Sequence, residues 1–257
     1  MLALEGVSRE FANGAGVRDV SLTVPAGQIV ALIGLNGAGK TTLMRLALGM
    51  LRPRAGGVHL VGEPLPGLPA ARWREVGALI EVPLAYPELT ARENVRIVSL
   101  LRGLPANRID SVLHYWGLDP VADRRFRHLS LGNRQRVGLA TALGHDPRLI
   151  VLDEPSIALD PASVIVLRET LRQRAAAGAA VLVSSHHLDE VARIADRIVV
   201  MNAGRLIGEL DPAAADLERV FFQRVLADDE RRGAEPAPAP SAGGQQPGAQ
   251  PGAQEEP

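Results

Sequence analysis

Residues 30–44 read VALIGLNGAGKTTLM. An apolar run, Val30 to Ile33, leads into a small-residue turn and then into an amphipathic segment. The turn fits G-x-x-x-x-G-K-[ST] at Gly34, Gly39, Lys40 and Thr41. Its glycines let the chain curl so that the N–H groups of Leu35, Asn36, Gly37, Ala38, Gly39 and Lys40 point inward around a phosphate. The helix that follows, starting with Thr41 and Thr42, aims its N-terminus at the same anion. Of 28 basic residues, Lys40 is the one lysine and all others are arginine. A lysine is a compact charge on a long stem and threads between β- and γ-phosphates, where the wide guanidinium fork does not fit. The Thr41 hydroxyl is placed to ligate Mg²⁺. An incidental lysine in a glycine-rich turn is the alternative, and a single lysine falling in this slot makes it a poor one.

Working outward, LIVL (Leu149 to Leu152) and AVLV (Ala180 to Val183) are apolar throughout, like VALI. Parallel strands covered on both faces read this way. Each leads into a polar turn and a helical pattern, which predicts an α/β fold with a mostly parallel sheet between helices. Ligands bind beyond the carboxyl ends of such strands. That edge gathers the loop from Gly34, the acids Asp153 and Glu154, and Ser184 to His186. Two adjacent acids ending an apolar strand are costly unless a cation is near. Mg²⁺ supplies one: Asp153 would hold it through its water shell, and Glu154 would polarise the attacking water. LALEGVSREF, VRDVSLTV and GGVHLVG alternate instead, which predicts a small antiparallel β subdomain. Residues 87–145 read as an inserted helical subdomain. Asp211-Pro212 reads as a helix start, with an apolar stripe at Leu217, Val220, Phe221 and Val225. The expected domain covers residues 1–225 and the last helix ends over 226–232. From Gly233 to Pro257 the chain turns to Pro, Ala, Gly and Gln, a composition that does not bury enough apolar surface to order itself.

The chain has 257 residues, is 46% hydrophobic and has a formal net charge of −1. That length and apolar content suffice for a substantial core, and the charge gives no field that would draw it to nucleic acid. With no cysteine, disulfides and thiolate metal sites are excluded. No signal peptide and no apolar run near the ~18 residues of a membrane span are present, so the expected location is cytoplasmic.

The segment HLSLGNRQRVGLA (His128 to Ala140) puts Ser130 where a helix cap belongs, followed by Gly132 and Asn133. Serine and glycine at a helix N-terminus make a second anion site. One chain already has its phosphate cradle, so a second such site asks for a partner chain; an ordinary capped helix is the plain alternative. In order along the chain stand the phosphate loop, LSLGN, LIVLDEP, the turn SIALD (Ser156 to Asp160) and SSHHLDEV (Ser184 to Val191). This series resembles the nucleotide-binding ATPase subunit of ABC transporters over residues 1–225. The resemblance implies a RecA-like phosphate-loop NTPase core, ATP and Mg²⁺ as ligands, and a homodimer or heterodimer with two ATP molecules sandwiched head to tail. It also implies a separate transmembrane permease that holds the chain on the inner face of the membrane. Ser130, Gly132 and Asn133 of one subunit would close on the γ-phosphate held by Lys40 of the other. His186 would contact the γ-phosphate, Asp160 would cross the dimer interface and Phe11 would stack on adenine, a core phenylalanine being the alternative. His187 next to His186 is the neighbour from which this assignment must be distinguished.

Four positions depart from the family pattern. Leu131 and Asn133 replace a glycine and a glutamine of the family's usual signature segment, LSGGQ. Ala158 stands where the interface turn has glycine. Glu81 stands where a glutamine is expected to sense Mg²⁺ and couple the site to the permease; a glutamate there could still reach the metal with Thr41 and Asp153, but adds a negative charge. Leu131 and Glu81 together resemble a branch of exporter ATPases linked to bacitracin and lantibiotic resistance, which implies export of a drug or antimicrobial peptide. A non-transport ABC ATPase acting on ribosomes or nucleic acid is the other reading. One ATPase domain, no coiled-coil insertion and a net charge near zero argue against it. Intact Lys40, Asp153, Glu154 and His186 argue against a regulator that binds ATP without hydrolysing it. The arginines at 124, 125, 127, 134 and 136 form a basic cluster around the signature, whose default reading is a solvated face.

Overall fold

The computed structural model describes residues 1–234. The chain opens with β1 (Leu2–Glu10), β2 (Gly16–Val24) and β3 (Ile29–Ile33), then α1 (Lys40–Ala47), β4 (Ala55–Leu60), the short β5 (Glu63–Pro64) and β6 (Val76–Leu79). Three helices follow: α2 (Ala91–Leu101), α3 (Ile109–Tyr115) and α4 (Leu131–Leu143). The second half holds β7 (Leu149–Leu152), α5 (Pro161–Ala176), β8 (Ala180–Ser185), α6 (Leu188–Ala192), β9 (Arg197–Asn202), β10 (Arg205–Leu210) and α7 (Leu217–Ala234).

Two sheets form. A six-stranded sheet runs β10-β9-β3-β8-β7-β6, and all its pairs are parallel except the edge pair of β10 with β9. The alternating segments build a four-stranded antiparallel sheet, β2-β1-β4-β5. The apolar runs at β3, β7 and β8 are buried throughout, as strands covered on both faces must be. Their side chains alternate between two cores. Ile29, Ala31 and Ile33 join Ile150, Leu152 and the helices from α2 to α5 on one face; Val30 and Leu32 join α1 and the antiparallel sheet on the other. Between β6 and β7 no strand occurs, and α2, α3 and α4 pack around Val95, Leu113, Trp116 and Leu139.

Register aligns the carboxyl ends. Leu79 of β6 pairs with Leu152 of β7, Leu152 with Val183 of β8, and Ser185 of β8 with Ile33 of β3. The residues just past these strands therefore share one edge of the sheet.

The last helix begins later than its sequence predicts. Asp211 closes a turn, accepting from the Ala213 N–H at 2.9 Å, and Asp216 caps α7 by accepting from the Arg219 N–H at 3.1 Å. Both acids offer a side-chain acceptor, and the cap goes to the one whose third residue is helical. Leu217, Phe221 and Val225 are buried and Val220 packs beside them. The helix runs through Ala234, past the expected end at residue 232; the rest of the expected tail, from residue 235, lies outside the described residues.

Candidate functional site: a phosphate cradle beside paired carboxylates

The loop from Gly34 to Gly39 joins β3 to α1. Gly39, at φ 108°, precedes the helix with no side-chain cap. The first helical bond runs from the Leu43 N–H to the Gly39 carbonyl at 2.9 Å. The N–H groups of Lys40, Thr41 and Thr42 thus stay free at the helix start, as helix termini leave them. Close packing on β9 keeps two loop positions glycine: a Cβ on Gly34 would lie 2.3 Å from the Met201 carbonyl, and one on Gly39 would lie 2.8 Å from the Met201 methyl. Leu35, Asn36 and Gly37 are exposed and Ala38 is buried.

Lys40 is 7% exposed. Its Nζ donates to the Gly34 carbonyl at 2.8 Å and lies 3.7 Å from Glu154 Oε1. Thr41 Oγ1 donates to Asp153 Oδ2 at 2.6 Å. Asp153 is 3% exposed and also accepts from the Ser184 hydroxyl, which in turn accepts from the Glu154 N–H at 2.9 Å. Ser184 thereby fixes both acids, a link that no periodic pattern signals. Glu154 adopts φ 48°, a left-handed turn that costs a non-glycine residue about 1 kcal/mol. The turn aims its carboxylate at the phosphate loop. Its Oε2 meets His186 Nδ1 at 2.8 Å and the His186 N–H at 3.3 Å. His187 does not reach it: its N–H bonds Ser185 Oγ at 2.9 Å and its ring lies 4.0 Å from that of His186. An open cavity of about 570 Å³ borders Gly34 to Asn36, His186 and His187, and Phe221 and Phe222.

These residues fit Mg-ATP. The helix start at Lys40 and the Lys40 ammonium beside the Gly34 carbonyl suit an anion. The Thr41 hydroxyl and Asp153 carboxylate form an adjacent pair of hard oxygen donors. Among the described residues no three His, Cys, Asp or Glu form a metal site of their own. That suits an ion held by one or two protein oxygens plus substrate phosphates.

Other candidates lie elsewhere. Ser130 caps α4, accepting from the Asn133 N–H at 3.3 Å, and Leu131 is 63% exposed. No hydrogen bond or ion pair joins Ser130, Gly132 or Asn133 to Lys40 or Thr41 among the described residues. A Cβ on Gly132 would lie 2.7 Å from the Ala158 carbonyl, so this position takes glycine because the Ser156–Asp160 turn packs on it. Gln135 Nε2 bonds the Pro155 carbonyl at 2.9 Å and Arg136 pairs with Asp160 at 2.6 Å. These two links between α4 and the turn escape the sequence reading. Asp160 also caps α5 by accepting from the Ser163 N–H at 2.8 Å, which holds its carboxyl below the usual carboxylate range. Phe11 follows β1 outside both cores, 38% exposed and under the Arg9 guanidinium. Glu81 does not bond Thr41 or Asp153; its carboxylate pairs with Arg45 at 2.7 Å. In the basic cluster, Arg134 stacks on Phe126, while Arg124, Arg125 and Arg127 are exposed and in no ion pair among the described residues.

Residues 17–157 match the family model described as ABC transporter. The lantibiotic transport ATP-binding protein SrtF of Streptococcus pyogenes is 32% identical over 90% of this chain and its own whole length. The bacitracin transport ATP-binding protein BcrA of Enterococcus faecalis is 36% identical over 82% of this chain and 69% of its own. A solved ATP-binding subunit of an ABC transporter superposes with a TM-score of 0.77 at 29% identity, covering 90% of this chain and 98% of that one. A dimeric ATP-binding cassette bound to ADP and Pi has the same fold, with a TM-score of 0.75 at 24% identity over 83% of this chain and all of that one. With the family model matched over more than half its length and full-length relatives above 30% identity, the chain belongs to the ABC transporter family.

Proposed function

We propose that the chain is the ATP-hydrolysing subunit of an exporter, working as a head-to-tail dimer beneath a separate permease. The observation that carries the chemistry is the Glu154 carboxylate held between Lys40 and His186, beside the Thr41–Asp153 pair. Lys40 and the free N–H groups of α1 bind the β- and γ-phosphates. Glu154 takes the proton of the attacking water as its oxygen bonds the γ-phosphorus. The bridging P–O bond breaks, and ADP leaves with the electron pair. Through Nδ1, His186 fixes the carboxylate that does this. Thr41 and Asp153 would hold Mg²⁺, whose charge offsets that of the phosphate oxygens. Ser130, Gly132 and Asn133 would meet the nucleotide of the partner subunit, Asp160 would lie in the dimer interface, and Phe11 would flank adenine.

Among the described residues no helix is long and apolar enough to cross a membrane; a separate permease is supported by SrtF, a transport ATP-binding protein matched over its whole length. A groove beside β6 and α2 suits docking of the permease: a cavity of about 200 Å³ lined by Met50, Val82, Leu84 and Val98. Val82 and Leu84 are 64% and 79% exposed, more apolar surface than a free monomer gains by displaying. Lantibiotic and bacitracin transport among the relatives supports a drug or antimicrobial peptide as cargo.

The test uses tagged Glu154→Gln protein. Turnover should fall about 10²–10³-fold while ATP binding is kept, since one transition-state contact is lost; full turnover would remove Glu154 from its role. Pulled from native membranes with Mg-ATP, the variant should bring down an integral membrane protein in stoichiometric amount. Ribosomal or DNA-bound material with no membrane protein would overturn the transport reading.

A further inference from the structure

Thr41 and Arg45 sit four residues apart on α1, hence one turn apart on one face. Thr41 reaches Asp153, just past β7, and Arg45 Nη2 reaches Glu81 Oε2, just past β6. The two strand ends are adjacent, since Leu79 pairs with Leu152 and the Asp153 N–H bonds the Leu79 carbonyl at 2.8 Å. Helix α1 therefore meets two neighbouring acids with two successive side chains. Glu81 is also held by its backbone, at φ 59°, beside a tight Val82 N–H to Ile80 carbonyl contact of 2.8 Å.

The pair is half exposed, with side chains 40% and 49% accessible. A pair of this exposure adds little to fold stability, so its value lies in charge. Three carboxylates, Glu81, Asp153 and Glu154, gather at neighbouring strand ends. The one buried cation among them is Lys40. A triphosphate entering the cradle adds further negative charge. The geometry points to Arg45 as a positioning residue for nucleotide binding: it neutralises Glu81 and holds its carboxylate one helical turn back from the Thr41 hydroxyl. An amide at position 81 has no such need, so Arg45 and the glutamate work as a unit. This inference rests on the ATP-binding reading above.

The test is equilibrium titration of the full chain with a fluorescent ATP analogue, with EDTA or with Mg²⁺, at low and high ionic strength. Arg45→Gln should weaken binding about three- to tenfold at low ionic strength, and the loss should shrink as salt screens the bare carboxylate. Adding Glu81→Gln to Arg45→Gln should restore binding to near the unmodified level, and Arg45→Lys should stay close to it. A double variant as weak as Arg45→Gln, or a loss that ignores salt, would overturn the inference and make Arg45 a packing residue of α1. An unmodified chain that fails to bind the analogue would sink the nucleotide reading, and this inference with it.

Discussion

Lys40 and Ser130 both stand at the N-terminal end of a helix, and both sequences promise an anion site, but their surroundings are opposite. Around Lys40 every functional side chain already has a partner: the Gly34 carbonyl, Asp153, Ser184, Glu154 and His186 form one connected network. Around Ser130 the cap is made, the next side chain is exposed, and Arg124, Arg125 and Arg127 are exposed and in no ion pair among the described residues. The first site is assembled within one chain. The second has exposed positive charge that no acid of its own chain pairs among the described residues, as expected of half a site completed by a second subunit.

This contrast breaks first at His186. If the network around Lys40 acts as a unit, His186→Ala should lower kcat about a hundredfold or more, because the Glu154 base it holds is then no longer positioned for proton transfer. His187→Ala, which loses no contact to Glu154, should stay within about twofold. Steady-state ATPase rates decide it, and equal losses would sink the assignment of His186.

Ser130→Ala sharpens the contrast from the other side. Losing a hydroxyl that meets a charged phosphate costs about 1.5–3 kcal/mol, so hydrolysis should fall about tenfold or more. Binding of a nucleotide analogue at a concentration where the chain is monomeric should not change. Weaker monomer binding would mean that Ser130 serves its own chain's nucleotide and that the half-site reading is wrong.

How far the sequence discloses each region follows the same division. Strands β3, β7 and β8 and the phosphate loop are legible because continuous apolar runs and a fixed glycine–lysine spacing are local signals. The position of Asp153 and Glu154 follows once those strands are parallel and in register. The links from Ser184 to Asp153, from Gln135 to Pro155 and from Arg136 to Asp160 are not legible, since contacts made across 20 to 31 residues leave no period in the chain. Arg45 sits four residues after Thr41, and the glutamate at 81 is a hint that a counter-charge is needed. The start of α7 is missed for a different reason: Asp211 and Asp216 are equally good caps in isolation, and packing of Leu217, Phe221 and Val225 on the core chooses the second.

The far end of α4 tests whether this helix is anchored only at one end. His145, past its C-terminus, lies half-buried with Nε2 3.3 Å from the Val76 carbonyl and Nδ1 without a partner among the described residues. Burial, helped by the Arg102 charge, lowers its pKa from 6.5 to about 4. Above about pH 6.5 the ring is neutral folded or unfolded and costs nothing. As pH falls below that, the unfolded chain takes a proton that the folded chain refuses, so stability drops, reaching a loss of about 1–2 kcal/mol near pH 5. Urea midpoints across this range should show the drop, and His145→Gln should flatten it. An unchanged slope in the variant would place the pH sensitivity elsewhere.

The smallest effect concerns the turn against which the signature packs. Ala158 adopts φ 63°, where a Cβ crowds the following carbonyl by about 1–2 kcal/mol. Its methyl is exposed and so returns little packing energy. Ala158→Gly relieves the strain but gives the unfolded chain more freedom, which takes back about 0.4–1 kcal/mol. The balance should be a stabilisation of about 0.5–1 kcal/mol, read from urea midpoints. The carbonyl of this residue sits over Gly132, so the substitution also asks whether the turn must be stiff to hold the signature helix. A more stable variant with unchanged turnover means that the alanine merely tolerates strain. A more stable variant that hydrolyses ATP more slowly means that the strained turn sets the geometry of the half-site, and ties the open region to the network around Lys40.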